Sequence, residues 1–282
     1  MGAWFAKFLE ANGYHVVISE KKRKPVTHKP RKNRFRMAAH EDQTTSASDV
    51  ILFATPTRVT RTLLGKFAAR LPRTTLLVEI SSIKEPIRPT IRTLSRKGAQ
   101  ILSIHPMFGP GAKNLQRKTV IIAHRPRHSA NADKFISTLK SAGAEVVFCD
   151  LDRHDRIVAA TLALPHLLNC VLVETLRRSG FSVEELRRLG GTSFRLQFLI
   201  AEAIYHESAE NETSILADSK SSEKLFSLYL QQTDEILHMI RGKRRDQLTN
   251  RLRNDLPYLR RDKSFQMAYE RFVAAVEASN RS

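Results

Sequence analysis

Three short stretches of the sequence contain polar side chains that could converge on one reacting molecule. The stretch "SSIK" contains Ser82 and Lys84, "HPMFGPG" begins with His105, and "LPH" ends with His166. An imidazole can gain or lose a proton near pH 7. Each stretch taken singly is more simply explained by structure: a solvated loop, a hydrogen-bonded histidine at a strand end, and a histidine that bonds locally beside a proline. Their order and the elements that carry them make them candidates for one site.

The elements around these stretches predict an α/β fold. "SSIK" follows the apolar run "TTLLVEI", His105 ends the run "QILSI", and the run "DVILFATP" ends in a turn at Thr55 and Pro56. Near-continuous apolar strands that alternate with helical patterns predict a Rossmann-type parallel sheet with crossover helices. Ligands of such sheets bind outside the carboxyl ends of the strands, where these polar residues lie.

The opening stretch "MGAWFAKFLEANGYHVVISE" is typical of the second half of a nucleotide-binding unit. It contains a glycine, an amphipathic helix and a short strand that closes on an acid. In dinucleotide folds this order follows the last glycine of G-x-G-x-x-G, and the acid holds the ribose hydroxyls. Gly2 would be that glycine and Glu20 that acid.

The first strand and the first two glycines of such a unit have no counterpart in the sequence. We therefore expect residues 15–19 and 49–55 to form strands that lack their common neighbour, and the fold to be an N-terminally truncated Rossmann domain. We expect the native chain to start upstream of Met1 rather than to be a natural short form. A longer protein from the native source would support this, and an active enzyme with a native N-terminus at Met1 would contradict it.

The pattern changes to helix throughout after Asp152. The first helical segment is long and apolar and contains Pro165, which should kink or divide it. We predict a dinucleotide-binding Rossmann domain over residues 1–150 and an all-α domain over 151–282. The long helix has more apolar surface than a small domain needs, so we expect a homodimer that forms through the helical domain.

Composition narrows the class of protein. The 47 basic and 28 acidic residues give a formal charge of +19, and the densest basic run, residues 21–36, contains two prolines and is typical of a solvated loop. The sequence contains no aromatic interleaving for base stacking, so nucleic-acid binding is not favoured. Cys149 and Cys170 have no metal-type spacing. No unbroken apolar run approaches the length of a membrane span and no signal peptide is evident, so we expect a cytoplasmic protein without a membrane segment.

Several stretches, taken in order, resemble the prephenate dehydrogenase family, which oxidises and decarboxylates prephenate or arogenate in tyrosine biosynthesis. "EISSIK", "RHDRIVAATLALPHLLN" and "GGTSFRLQFLIAEAI" are similar to its motifs, and "HPMFGPG" is the most specific match. The opening stretch and "SDVILFATP" are similar to its nucleotide-binding half. The resemblance covers nearly the whole chain.

The resemblance implies a role for each candidate residue. His105 would accept the proton of the ring hydroxyl as the base, and Ser82 would make a second contact to that hydroxyl. Arg195 would bind the ring carboxylate through its planar fork, and His166 would position the substrate side chain. No metal is implied. The expected cofactor contacts are Gly2, Glu20, Thr55, Pro56 and Lys84.

Several alternatives stay open at this point. Glu20 favours NAD, but the three basic residues after it could attract the 2'-phosphate of NADP. The sequence does not separate prephenate from arogenate, and it does not reveal feedback by tyrosine or the role of the basic loop. Another two-domain dehydrogenase that acts on a small hydroxy acid is one alternative. A non-catalytic basic dimeric scaffold that lost the cofactor site is the other, and salt-sensitive DNA binding without cofactor binding would favour it.

Overall fold

A computed structural model describes residues 1–19, 36–37 and 48–279. The chain divides into two compact units, Met1–Asp155 and Arg156–Ser282. The division falls inside a helix that begins at Leu151, whereas the sequence predicts a boundary directly before that helix. Glu20 and the basic run up to residue 35 lie outside the described residues, as do any contacts that they make.

The first unit alternates strands and helices. Its strands are β1 (Val17–Ile18), β2 (Arg36–Met37), β3 (Val50–Phe53), β4 (Leu76–Glu79), β5 (Gln100–Pro106), β6 (Thr119–His124) and β7 (Glu145–Phe148). Its helices are α1 (Gly2–Ala11), α2 (Thr57–Ala68), α3 (Arg88–Arg96), α4 (Ala130–Ser141) and the start of α5 (Leu151–Val158).

Five strands form the main sheet in the order β3-β4-β5-β6-β7. The pairs β3–β4, β4–β5 and β6–β7 are parallel, which confirms a predominantly parallel α/β fold. The pair β5–β6 is antiparallel, which the sequence prediction of a parallel sheet missed. Residues 107–118 between these strands contain no helix, so the chain has no crossover connection and returns beside β5 in the opposite direction.

The strands β1 and β2 pair with each other in a separate two-stranded parallel sheet. The strand β3 is therefore an edge of the main sheet as far as the described residues go. This confirms the prediction that β1 and β3 lack a common neighbouring strand within the part of the chain that the structure describes.

Both faces of the main sheet are covered, as its apolar strands require. Alternate residues of a strand point to opposite faces. On one face, Leu76 and Leu102 pack with Phe5 of α1 and Phe135 of α4. On the other face, Leu77 and Ile101 pack in the cluster that α2 and α3 contribute to. The two buried layers hold β4 and β5 rigidly in the centre of the sheet.

The second unit is helical throughout its described residues. A π-helical turn (Ala159–Ala163) follows α5, and the next elements are α6 (Leu164–Arg178), α7 (Val183–Leu189), α8 (Thr192–Tyr205), α9 (Ala209–Ala217), α10 (Lys220–Arg241), α11 (Arg245–Leu259), a 3-10 turn (Lys263–Met267) and α12 (Ala268–Ser279). Pro165 lies in the first turn of α6, directly after the π turn. The regular hydrogen-bond pattern is thus interrupted beside the proline, as the sequence predicts.

The helical segment Leu151–Arg178 is long and apolar enough to cross a membrane by length and composition. The expectation from the sequence considered only unbroken apolar runs and so did not count this segment, which includes His166 and Asn169. Both polar residues contact other helices of the second unit: His166 bonds Glu212, and Asn169 bonds Gln197. Such contacts are typical of a helix that packs within a helical domain.

We predict that Leu102→Ala lowers the free energy of unfolding by about 2–5 kcal/mol, because it leaves a cavity in the buried centre of β5. Val59→Ala on α2, where the side chain is 45% exposed, is the control and should cost about 0.5 kcal/mol or less. Urea denaturation followed by circular dichroism measures both. Equal losses for the two variants would contradict the position of Leu102 in the core.

Candidate active site

A cluster of buried polar side chains lies at the carboxyl ends of β4 and β5. Glu79 ends β4 and pairs in register with Ser103 on β5, so His105 lies farther along β5 at the same edge. The remaining members come from the loop after β4 and from the first turn of α5. The buried members of the cluster are Glu79, Lys84, Ser103, His105, His154 and Asp155.

Lys84 and Glu79 form an ion pair that is shielded from solvent. The ammonium Nζ lies 2.7 Å from Glu79 Oε1 and donates a second bond of 2.7 Å to the carbonyl oxygen of Ile104. The backbone N–H of Ser81 and the hydroxyl of Ser103 also donate to the Glu79 carboxylate. Burial lowers the pKa of Lys84, and the Glu79 carboxylate opposes that shift.

This arrangement gives no support to the prediction that Lys84 binds the cofactor. Its side chain has no solvent-exposed surface, and its ammonium is held by Glu79 and by the backbone of β5. A buried charge must be paired, so Lys84 has a structural task in holding the loop after β4 against β5.

His105 is the first member of a short chain of hydrogen bonds. Its Nδ1 lies 3.1 Å from Nε2 of His154, and Nδ1 of His154 lies 2.7 Å from Oδ1 of Asp155. Burial, and then repulsion from the Lys84 ammonium and from His154 whenever it is protonated, hold the pKa of His105 well below 6.5. The imidazole is therefore neutral near pH 7 and able to accept a proton.

Ser82 lies in the loop between β4 and α3, and its side chain is partly exposed. Asp155 fixes this loop: its two carboxylate oxygens accept the backbone N–H groups of Lys84 at 2.9 Å and Glu85 at 2.5 Å. Because β4 and β5 are parallel neighbours, the loop and His105 lie at the same edge of the sheet. The first unit thus carries Ser82 and His105 on adjoining segments.

Three of the residues predicted to bind a cofactor also lie together. A methyl group added to Gly2 would lie 3.1 Å from Cβ of Ala54, so the start of α1 closely approaches the end of β3. Thr55 and Pro56 come next, and Pro56 is the N-cap of α2. The hydroxyl of Thr60 bonds the carbonyl of Thr55 at 2.9 Å and fixes this turn. Two helix N-termini beside a strand end suit a phosphate group.

Trp4 of α1 holds the loop that follows His105. Its indole N–H donates to the carbonyl of Ala112 at 2.6 Å, and its ring contacts Phe108 edge to face at 5.0 Å between centroids. The "HPMFGPG" motif is therefore tied to the first helix as well as to the sheet.

The second unit carries the other two candidate residues. His166 on α6 is largely buried, and its Nδ1 lies 2.5 Å from Oε2 of Glu212 on α9. The other oxygen of Glu212, Oε1, is buried and has no hydrogen-bond partner among the described residues. Arg195 on α8 is exposed, and its Nε donates to the carbonyl of Gly190 at 3.1 Å.

Sequence reasoning assigned no role to Glu79, His154 or Asp155. A signal for each is visible in the sequence: Glu79 is the one acid in the apolar run "TTLLVEI", and the adjacent pair His154-Asp155 begins an apolar helix. A charge at a position that the apolar pattern buries must have a partner, and Lys84 is the nearest basic residue after Glu79.

We predict that Lys84→Met lowers the free energy of unfolding by about 3–5 kcal/mol, because it leaves the Glu79 carboxylate buried and unpaired. The double variant Glu79→Gln/Lys84→Met removes both charges and should recover part of that loss. A double-mutant cycle from urea titrations measures the coupling. The ion pair would be contradicted if the double variant lost as much free energy of unfolding as Lys84→Met and Glu79→Gln lose together when each is measured alone.

Comparison with known proteins agrees with this arrangement. Residues 5–148 match a family model described as the nucleotide-binding domain of prephenate dehydrogenase, and residues 150–254 match its dimerization domain. The match to a nucleotide-binding domain supports the prediction of NAD as the cofactor.

Curated relatives are distant and longer. A protein of Methanocaldococcus jannaschii named "Probable arogenate/prephenate dehydrogenase" is 23% identical over 248 residues, which are 87% of this chain and 56% of the relative. The T-protein of Enterobacter agglomerans is 22% identical over 240 residues, 85% of this chain and 60% of that protein. The chain thus spans little more than half the length of these relatives.

Solved structures share the fold. Prephenate dehydrogenase from A. aeolicus, solved with hydroxyphenyl propionate and NAD+, has a TM-score of 0.69 at 16% identity and covers 93% of this chain and 95% of its own. Arogenate dehydrogenase from Synechocystis has a TM-score of 0.58 at 18% identity, and the match covers 75% of this chain and 78% of that structure's chain. By its sequence match over both domains, the chain belongs to the prephenate dehydrogenase family.

Proposed function

We propose that the chain catalyses the NAD-dependent oxidative decarboxylation of prephenate to 4-hydroxyphenylpyruvate. The observation that carries the proposal is His105, a buried imidazole held neutral at the carboxyl edge of a nucleotide-binding sheet. The substrate carbinol carbon gives a hydride to the nicotinamide while its hydroxyl proton goes to the imidazole. The ring carboxylate then leaves as carbon dioxide, and the ring becomes aromatic.

Each remaining candidate residue has one task in this proposal. The Ser82 hydroxyl makes a second hydrogen bond to the substrate hydroxyl. Arg195 binds the ring carboxylate; its Nε is oriented by Gly190 and its guanidinium is exposed, so a planar fork of donors is left for a carboxylate. His166 positions the substrate side chain.

We place the cofactor at the edge formed by Gly2, Thr55 and Pro56. The N-termini of α1 and α2 present backbone N–H groups and partial positive charge to its phosphates. The A. aeolicus relative was solved with NAD+, and Glu20 follows β1 where a carboxylate would bind ribose hydroxyls and repel a 2'-phosphate. We therefore propose NAD rather than NADP.

Arogenate is the second candidate substrate, and one observation favours it. Arogenate carries an ammonium group in the side chain, where prephenate has a ketone. Oε1 of Glu212 is buried and unpartnered among the described residues, next to the histidine assigned to the substrate side chain. A buried carboxylate oxygen is stabilised by a cationic partner, which arogenate would supply.

We also propose that the protein is a cytoplasmic homodimer that associates through its helical domain. The matched model of residues 150–254 is described as a dimerization domain. On the helices, Val171 of α6 and Leu199 and Ile200 of α8 are each about half exposed. Apolar residues exposed on neighbouring helices fit burial against a second copy. Sedimentation without detergent tests this proposal: a dimer supports it, and a monomer or a chain recovered only with membranes contradicts it.

We predict that His105→Asn lowers kcat by about 100-fold to 10,000-fold, because asparagine can replace the Nδ1 donor but has no basic Nε2. His124→Gln removes a histidine that bonds Ser95 of α3 and takes no part in the hydrogen bonds of His105, and it should keep full activity. The assay follows reduced nicotinamide with prephenate and with arogenate. Activity of His105→Asn within tenfold of wild type would contradict the assigned base.

We predict a pH profile of kcat/KM that is level from about pH 6.5 to 8. A base acts when deprotonated, and the pKa of His105 lies well below 6.5, so activity falls only on the acid side. Steady-state rates measured across this range in buffers of constant ionic strength provide the test. A fall that begins near pH 7 would contradict a depressed pKa at the base.

We predict that Glu212→Gln separates the two substrates. The variant keeps an oxygen that can accept a hydrogen bond from His166 but loses the negative charge. If arogenate is the substrate, its kcat/KM should fall at least about tenfold, since a charge-assisted hydrogen bond is lost. The value for prephenate, measured on the same preparation, should change by less than about threefold. If kcat/KM changed equally for arogenate and prephenate, Glu212 would have no part in selecting between the two substrates.

A further inference from the structure

We propose that His154 and Asp155 are positioning residues that determine which nitrogen of His105 carries its proton, leaving Nε2 of His105 as the base. The three residues form one directional chain of hydrogen bonds within the first unit. The proposal rests on the function proposed above, in which His105 takes the substrate proton.

The direction of the chain begins at Asp155. Its Oδ1 accepts the backbone N–H of Lys84, its Oδ2 accepts that of Glu85, and a backbone N–H can only donate. An ionised carboxylate has no proton of its own to give. The third partner, Nδ1 of His154 at 2.7 Å from Oδ1, must therefore donate as well.

The next link is the state of His154. Burial lowers its pKa, the hydrogen bond to Asp155 opposes this shift, and the groups that face it from the neighbouring strand and loop are Glu79 and Lys84. A neutral imidazole has one donor and one acceptor nitrogen. Because Nδ1 of His154 donates to Asp155, its Nε2 can only accept.

The last link sets the tautomer of His105. Nε2 of His154 lies 3.1 Å from Nδ1 of His105, so Nδ1 of His105 must carry the proton and donate it. The lone pair of a neutral His105 then lies on Nε2. No hydrogen-bond partner of this nitrogen is found among the described residues, and it is the atom left for the substrate hydroxyl.

Protonation of His154 would reverse the chain. A proton on Nε2 of His154 would point at Nδ1 of His105 and require it to accept. The proton of a neutral His105 would then lie on Nε2, and the base would be lost even though His105 itself had not gained a charge. His154 thus contributes to the acid limb of activity, together with His105 itself.

Asp155 also links the tautomer to the position of Ser82. The same two oxygens that fix the direction of the chain hold the backbone of the Ser82 loop at Lys84 and Glu85. The Asp155 carboxylate therefore fixes both the tautomer of His105, the proposed base, and the position of the loop that carries Ser82, the proposed second contact to the substrate hydroxyl.

Two substitutions at His154 test the proposal with opposite expectations. In His154→Gln the amide oxygen can accept from His105 and the amide NH2 can donate to Asp155, so the direction is kept and nothing titrates. In His154→Leu the volume is similar but the chain is cut. We expect kcat within about tenfold of wild type for glutamine and lowered about 100-fold for leucine, with KM nearly unchanged in both. The acid limb should move to lower pH in His154→Gln.

A second measurement reads the tautomer without any turnover. In protein labelled with 15N-histidine, the His105 signals, identified by their loss in His105→Asn, should show a protonated Nδ1 and an unprotonated Nε2 at pH 7.5. His124→Gln should leave these signals unchanged, since His124 bonds Ser95 and not the chain.

The outcomes separate this proposal from the proposed function. A protonated Nε2 on His105 in the wild type, or equal kcat for His154→Gln and His154→Leu, would overturn the positioning chain even in an active dehydrogenase. A protonated Nδ1 in a protein that turns over neither prephenate nor arogenate would support the chain and refute the function.

Discussion

The buried ion pair between Lys84 and Glu79 is the constraint on which the candidate active site depends. It joins the end of β4, the loop that carries Ser82 and the backbone of β5 next to His105. Neither charge could remain in this dry edge of the sheet without the other, because an isolated buried ion costs several kcal/mol. Each charge therefore needs the other, and the pair fixes the ends of β4 and β5 and the loop after β4 relative to one another.

The same pair sets the chemistry of its neighbour. The Lys84 ammonium lies beside His105 and disfavours a second positive charge there, which adds to the effect of burial on the pKa. Asp155 provides the balancing negative charge on the other side of the cluster and anchors the loop through two backbone N–H groups. Structural and chemical roles thus share a residue: the Lys84 ammonium that holds the loop against β5 also helps to keep the imidazole neutral and ready to accept a proton.

Much of the fold followed from the sequence, since strands buried on both faces give apolar runs and crossover helices give periodic ones. The antiparallel return of β6 was missed because an apolar strand has the same pattern in either direction, and only the helix-free connection distinguishes them. Ser82 and His105 were found at the expected strand ends. The direction of the Lys84 side chain was not predicted. The neighbouring sequence does not distinguish a lysine that faces solvent from one that pairs with an acid inside the sheet. The contribution of α5 was missed for a related reason: His154 and Asp155 reach His105 only through tertiary contact.

The most direct test of the account is the stoichiometry of the reaction on prephenate with NAD+. The purified protein should release one carbon dioxide for each nicotinamide reduced, because hydride transfer from the carbinol carbon and loss of the ring carboxylate belong to one conversion. Reduced nicotinamide without carbon dioxide would contradict it and point to a simple hydroxy-acid dehydrogenase. The absence of both products with prephenate and with arogenate would contradict the proposed catalytic function itself.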